Sequence, residues 1–175
     1  NQRGAKQRLD RIEIELHVFT DGEHRLEDAL ALHAGRIQLH DVQLDNPRHL
    51  PLATRNWLIQ QEPKADLTLY LEDDLVIADP LFLDKQHWFL NRTGEQLVLM
   101  PHRFEPIASG PQARLLVDGP LRQEFIGRFC TPQANAVHGR FDPQGEEISF
   151  DITDNPHAGC FVLGPRQVAH LRQQA

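Results

Sequence analysis

The sequence predicts an α/β fold, a three-layer domain with a mostly parallel central sheet. Strand-like and helix-like segments alternate from residue 12 to residue 71, which is the order of a sheet covered by its own crossover helices. The third strand-like segment, LTLYL (67–71), is apolar on both faces and so belongs in the middle of a parallel sheet. The chain has 175 residues, 40 % of them apolar and 25 % charged, enough for a single domain with its own core.

The elements follow in order. Residues 1–11, NQRGAKQRLDR, are polar and read as the tail of a helix. The expectation is therefore one domain over 1–175, incomplete at its N-terminal end. IEIELHVFTDG (12–22) alternates Ile12, Ile14, Leu16 and Val18 before Asp21-Gly22, a strand ending in a turn. HRLEDALALHAG (24–35) places Leu26, Ala29, Leu30 and His33 on one helical face and stops at Gly35. RIQLHDVQL (36–44) alternates again as a second strand, and Asn46-Pro47 opens a helix that Pro63 closes.

The second half is less regular. LFLDKQHWFLNR (81–92) reads as a helix, QLVLMP (96–101) as a strand and ARLLVDG (113–119) as another. Gly and Pro crowd residues 105–120 and 131–145, which predicts long loops. EEISFDI (146–152) reads as a strand, and GPRQVAHLRQQ (164–174), with Pro165 at its first turn, as a closing helix.

Composition narrows the function. A net charge of −7 with His neutral argues against a broad nucleic-acid face. No apolar run approaches the ~18 residues of a membrane span. Cys130 and Cys160 form neither a disulfide framework nor a CxxC pair. With no signal-peptide pattern, this cysteine usage points to a cytoplasmic protein.

The segment that carries chemistry is LTLYLEDDLVIADP (67–80). Three carboxylates, Glu72, Asp73 and Asp74, follow directly on an apolar strand, and Leu75, Val76 and Ile77 return to apolar residues. Ligands of open parallel sheets gather at the carboxyl ends of strands. Continued extension puts Glu72 and Asp74 on one side and Asp73 on the other. Two carboxylates on one side suit a hard divalent cation, Mg²⁺ or Mn²⁺; without one, burying them together costs several kcal/mol, on the order of 3 or more. Solvated acids at a strand end are the simpler alternative.

YLEDDLVI, after two strand-helix units and a third strand, resembles the DXD segment of GT-A glycosyltransferases. The resemblance covers roughly residues 12–103 in the order of elements. It implies a GT-A-like fold and transfer of a sugar from a nucleotide-sugar, a UDP- or GDP-sugar, to a sugar, lipid or protein acceptor. It also implies Asp74 as the main ligand of Mn²⁺ or Mg²⁺, Glu72 toward the donor's ribose or sugar, and Asp73 assisting. NPHAGCFVLG (155–164) resembles the late segment of that family near the acceptor, where a histidine completes the metal shell in some members; His157 is the candidate. A loop histidine with no ligand is the alternative.

Arg103, in MPHRFE (100–105), suits phosphate or a sugar hydroxyl, or else pairs with Glu105 on the surface. Asp21 suits the nucleotide, though a turn-forming Asp-Gly explains it equally well. An inverting transferase also needs a carboxylate base, for which Asp151, Asp154 and Glu105 are candidates. Two other readings remain: a metal-dependent phosphatase or nucleotidyltransferase, and a degenerate domain that binds without catalysis.

Overall fold

The computed structural model describes residues 12–106, 114–119, 121–128, 137–141, 145–153, 155, 157 and 159–175. The chain divides into two compact units, residues 1–58 and 59–175.

The first unit holds β1 (His17–Thr20), α1 (Glu27–His33), β2 (Gln38–Asp41), a 3₁₀ turn (Pro47–His49) and most of α2 (Leu50–Gln60). β1 and β2 pair in parallel, His17 opposite Gln38 and Thr20 opposite Asp41, with α1 as the crossover that parallel strands require. The Asn46 side chain accepts from the Arg48 N–H at the 3₁₀ turn, and Pro47 occupies the first turn. β1 is shorter than its alternating sequence predicts. Ile12, Ile14 and Leu16 precede it and are 40 %, 68 % and 48 % exposed, so the pattern extends beyond the ladder. The pair is cemented by rings. His17 Nδ1 and His40 Nε2 share a hydrogen bond of 2.9 Å, Phe19 stacks on His40 at 4.5 Å, and Trp57 of α2 meets His17 at 4.5 Å.

The second unit holds β3 (Thr68–Leu71), α3 (Phe82–Thr93), β4 (Phe104–Pro106), β5 (Arg114–Leu116), α4 (Gln123–Ile126), β6 (Val137–Phe141), β7 (Glu146–Phe150), β8 (Cys160–Leu163) and α5 (Pro165–Gln174). Among the described residues its strands form three antiparallel pairs: β3 with β8, β4 with β5, and β6 with β7. The expected GT-A-like three-layer architecture with a mostly parallel central sheet is thereby overturned. β3 is the strand that was expected to centre it, and it runs antiparallel to β8, Thr68 opposite Leu163 and Leu71 opposite Cys160. The physical reason is plain. An apolar run on both faces reports burial, and burial does not carry the direction of the neighbour. The CFVL of β8 is equally apolar, with Cys160, Val162 and Leu163 buried, and it satisfies β3 from the opposite direction.

Two other expectations change. QLVLMP (96–101) forms no strand. Its carbonyls serve helix side chains instead: Gln167 Nε2 donates to Leu97 O at 2.9 Å and Gln86 Nε2 to Leu99 O at 3.5 Å. β6 falls where Gly and Pro predicted loop. It is held by α3, whose Trp88 ring crosses Phe141 edge-on at 6.1 Å, while Phe89 meets Phe150 of β7 at 5.0 Å. Gly139 permits that approach, because a β-carbon there would lie 2.8 Å from the Trp88 ring. The buried apolar side chains of this unit are Tyr70, Phe89, Leu90, Phe141, Cys160, Val162, Leu163 and Val168. Both helices expected in this unit form, α3 and α5. At the start of α5 the Glu95 carboxylate accepts from the Arg166 N–H at 2.7 Å and the Gln167 side chain from the Gly164 N–H at 3.0 Å, which satisfies amides that a helix start leaves open.

Candidate functional site at the end of β3

The antiparallel pairing of β3 and β8 decides what stands beside the acids. The carboxyl end of β3 meets the amino end of β8, so Glu72 lies against Gly159. Glu72 N–H donates to Gly159 O at 2.9 Å, one ladder step beyond Leu71. The chain then turns, with Leu75 N–H donating to Glu72 O at 3.2 Å. Asp73 and Asp74 are the exposed middle of that turn. The expected extended course, with Asp73 opposite the other two, is therefore replaced by a tight turn. Nor does the chain return to a buried run, since Val76 is 89 % exposed.

Glu72 is the half-buried acid of the three. Its carboxylate lies over Gly159, where a β-carbon would sit 2.9 Å from Oε2 and 3.3 Å from Leu75 Cδ1. Tyr70, two residues earlier on the same face, aims its hydroxyl at Glu72 Oε1 across 3.4 Å.

The second wall comes from the β4–β5 hairpin. Register places Phe104 opposite Leu116, so Arg103 comes opposite Val117 just past the open end, with Asp118 the next residue. Val117 N–H donates to Arg103 O at 3.1 Å. Arg103 gives Asp118 its backbone N–H at 3.0 Å, Nε at 3.1 and 3.2 Å, and Nη2 at 2.6 Å. The expected alternative, a pair with Glu105, does not form; Glu105 is exposed on β4. The Arg103 guanidinium is held more firmly protonated by its bond to Asp118 and by the charges of Asp118, Glu72 and Asp74, against a cost of burial. Burial pushes the Asp118 carboxyl up, but the hydrogen bonds from the Arg103 side chain and backbone, with the charges of His157 and Arg103, outweigh it and leave it below the usual carboxylate value.

The segment leading to β8 stitches the two walls together. His157 Nε2 is 2.8 Å from Pro101 O. A carbonyl can only accept, so Nε2 carries the proton. The same nitrogen lies 3.7 Å from Asp118 Oδ2. The other ring nitrogen, Nδ1, is buried and has no hydrogen-bond partner among the described residues. Asn155 Nδ2 donates to Gly119 O at 2.8 Å.

Of the residues picked from sequence, Glu72, Asp73 and Asp74 share the turn after β3, while Arg103 and His157 meet at Asp118. Asp151 is exposed beyond β7, and neither it nor Glu105 contacts the acids among the described residues. Asp154 lies outside the described residues. Asp21 belongs to the first unit. There its carboxylate accepts from the N–H groups of Glu23 at 3.0 Å and His24 at 2.8 Å, and pairs with the His24 ring at 2.7 Å. The backbone and side-chain bonds from His24 lower its pKa to about 2, and the turn-forming alternative is the one the structure shows. Sequence reasoning missed Asp118, Gly159 and Asn155. Asp118-Gly119 carries the same turn signature as Asp21-Gly22, so nothing local separates the acid that holds an arginine from the acid that makes a turn.

Among the described residues no three His, Cys, Asp or Glu side chains converge as ligands of one metal ion. An all-protein cage of the zinc type is not what these residues form. A Mg²⁺ or Mn²⁺ site needs less: one or two carboxylates, with water and substrate phosphate completing the shell. The turn supplies carboxylates of that kind in Glu72 and Asp74.

No family model, curated protein or solved structure matches this chain. No described helix is long and apolar enough to cross a membrane.

Proposed function

We propose that the chain is a metal-dependent glycosyltransferase, with Glu72 and Asp74 holding Mn²⁺ or Mg²⁺ against the diphosphate of a UDP- or GDP-sugar. One observation carries the reading: a guanidinium, Arg103, sits within the field of both acids while a third carboxylate, Asp118, orients it. Acids beside an oriented arginine match a ligand that brings a cation and phosphate oxygens together. When bound, the metal offsets the charge that develops on the departing nucleoside diphosphate. Arg103, bonded to Asp118 through Nε and Nη2, offers its remaining N–H groups to a phosphate. Glu72, kept in place by Gly159 and Tyr70, faces the donor. In the transfer the bond from the sugar's anomeric carbon to the diphosphate breaks, a bond to an acceptor hydroxyl forms, and that hydroxyl's proton leaves to a base.

A second reading, a domain that binds the donor or a metal without transfer, is favoured by the position of the base candidates. Neither Glu105 nor Asp151 is held beside the acids among the described residues. Calorimetry of Mn²⁺ with UDP and with GDP, on the wild type and Asp74→Ala, tests the shared site. Binding that requires the metal and disappears in the variant supports it, and the preferred nucleotide names the donor class. Failure of both nucleotides to bind at millimolar concentration removes it. Release of free nucleoside diphosphate from a sugar donor then separates the enzyme from the binding domain.

A further inference from the structure

We propose that Asp118 is a positioning residue that aims the Arg103 guanidinium at the diphosphate. The inference rests on the nucleotide-sugar reading above and adds to it a residue that the acidic motif does not contain. Asp118 is enclosed, its side chain 6 % exposed, whereas the Arg103 side chain is 30 % exposed. A buried carboxylate thus spends its hydrogen bonds on a cation that remains partly open. It takes the backbone N–H, Nε and Nη2 of that single residue, which fixes both the main chain and the plane of the fork.

A simple structural ion pair accounts for less than what is present. Glu72 and Asp74 add their charges to that of Asp118 in favouring protonated Arg103, three carboxylates to one guanidinium. Arg103 cannot neutralise all three, and its Nε and Nη2 are committed to Asp118. The surplus charge suits a divalent cation at Glu72 and Asp74, and the guanidinium, already oriented, suits the anion that arrives with it. His157, a ring 7 % exposed whose Nε2 is 3.7 Å from Asp118, has no hydrogen-bond partner for its Nδ1 among the described residues. Orienting the fork beforehand reduces the side-chain freedom lost when the phosphate binds.

The test is calorimetry of Mn²⁺ with UDP and GDP on the whole chain, for the wild type, Asp118→Asn, Arg103→Gln and the double variant. Asp118→Asn is expected to weaken nucleotide binding at least about tenfold. The double variant is expected to bind no more weakly than Arg103→Gln alone, because Asp118 acts through Arg103. A second readout is the ¹⁵N-resolved arginine Nε–H signal of Arg103, slow to exchange in the wild type and fast in Asp118→Asn. Should Asp118→Asn fail to fold, Arg103→Lys decides. Lysine keeps the charge without the fork, so its binding falls as far as that of Arg103→Gln; retained binding overturns the proposal. A wild type that binds while Asp118→Asn binds equally well overturns this inference alone. A wild type that binds neither nucleotide removes the site reading, and the inference with it.

Discussion

Gly159 and Asp118 show how much of the site depends on single residues. The β-carbon of Gly159→Ala would fall 2.9 Å from the Glu72 carboxylate and 3.3 Å from Leu75, and the ladder bond to Glu72 fixes the backbone on which it sits. Glu72 must therefore move. The expected result is a loss of about tenfold in Mn²⁺-dependent nucleotide binding, read by calorimetry, while Gly119→Ala, with nothing within 4 Å of its added carbon, leaves binding unchanged. Asp118 gives a pH prediction. Its folded carboxyl lies below the usual value of 3.8, so in acid the unfolded chain takes up the proton first. The stability it contributes is fully present above about pH 4 and is lost as pH falls through the lower folded value. Denaturant titrations between neutral pH and about pH 2 should show a shallower acid slope in Asp118→Asn than in the wild type. Equal slopes in the two proteins would show that the pair with Arg103 carries none of the acid sensitivity.

Among the elements, the helices and strands with a strong local signal formed where their residues place them. α3 and α5 follow from apolar spacing and from Pro165, and β7 from its alternation. QLVLMP is as apolar as a strand, yet Gln86 and Gln167 claim its carbonyls. β6 contains Gly139 and follows a Gly- and Pro-rich stretch, yet it pairs with β7 across five positions. Both differences arise because a ladder needs a partner, and partners are chosen by the rest of the chain. The hairpin's attachment to α3 is testable. Phe141 is 1 % exposed and packs edge-on against Trp88. Phe141→Ala should cost about 3–5 kcal/mol, measured by denaturant unfolding followed at Trp88 in a Trp57→Phe background. A cost under about 1 kcal/mol would mean that this ring does not anchor the hairpin.

At the scale of the molecule, a ligand that binds only the folded chain adds stability in proportion to its occupancy. With Mn²⁺ and the preferred nucleoside diphosphate at a hundred times the dissociation constant, the gain is about 2.7 kcal/mol. A thermal melt should therefore shift upward with metal and nucleotide together, and the shift should vanish in Asp74→Ala. A shift of equal size in the variant would place binding away from these acids.

The sequence by itself determined which segments are apolar, where the long helices lie, that β1 and β2 are joined by a helix, and that the acids follow an apolar strand. These are local properties, written in the spacing of residues along a few turns or steps. Tertiary structure decided the direction of β8 against β3, and with it the meeting of Glu72 with Gly159. It also decided that Arg103 pairs with Asp118, 15 residues away, and not with Glu105, and that His157 reaches Pro101, 56 residues away. Such pairings depend on which distant surfaces bury each other and on which polar groups then find themselves without water, and no run of neighbouring residues records that outcome.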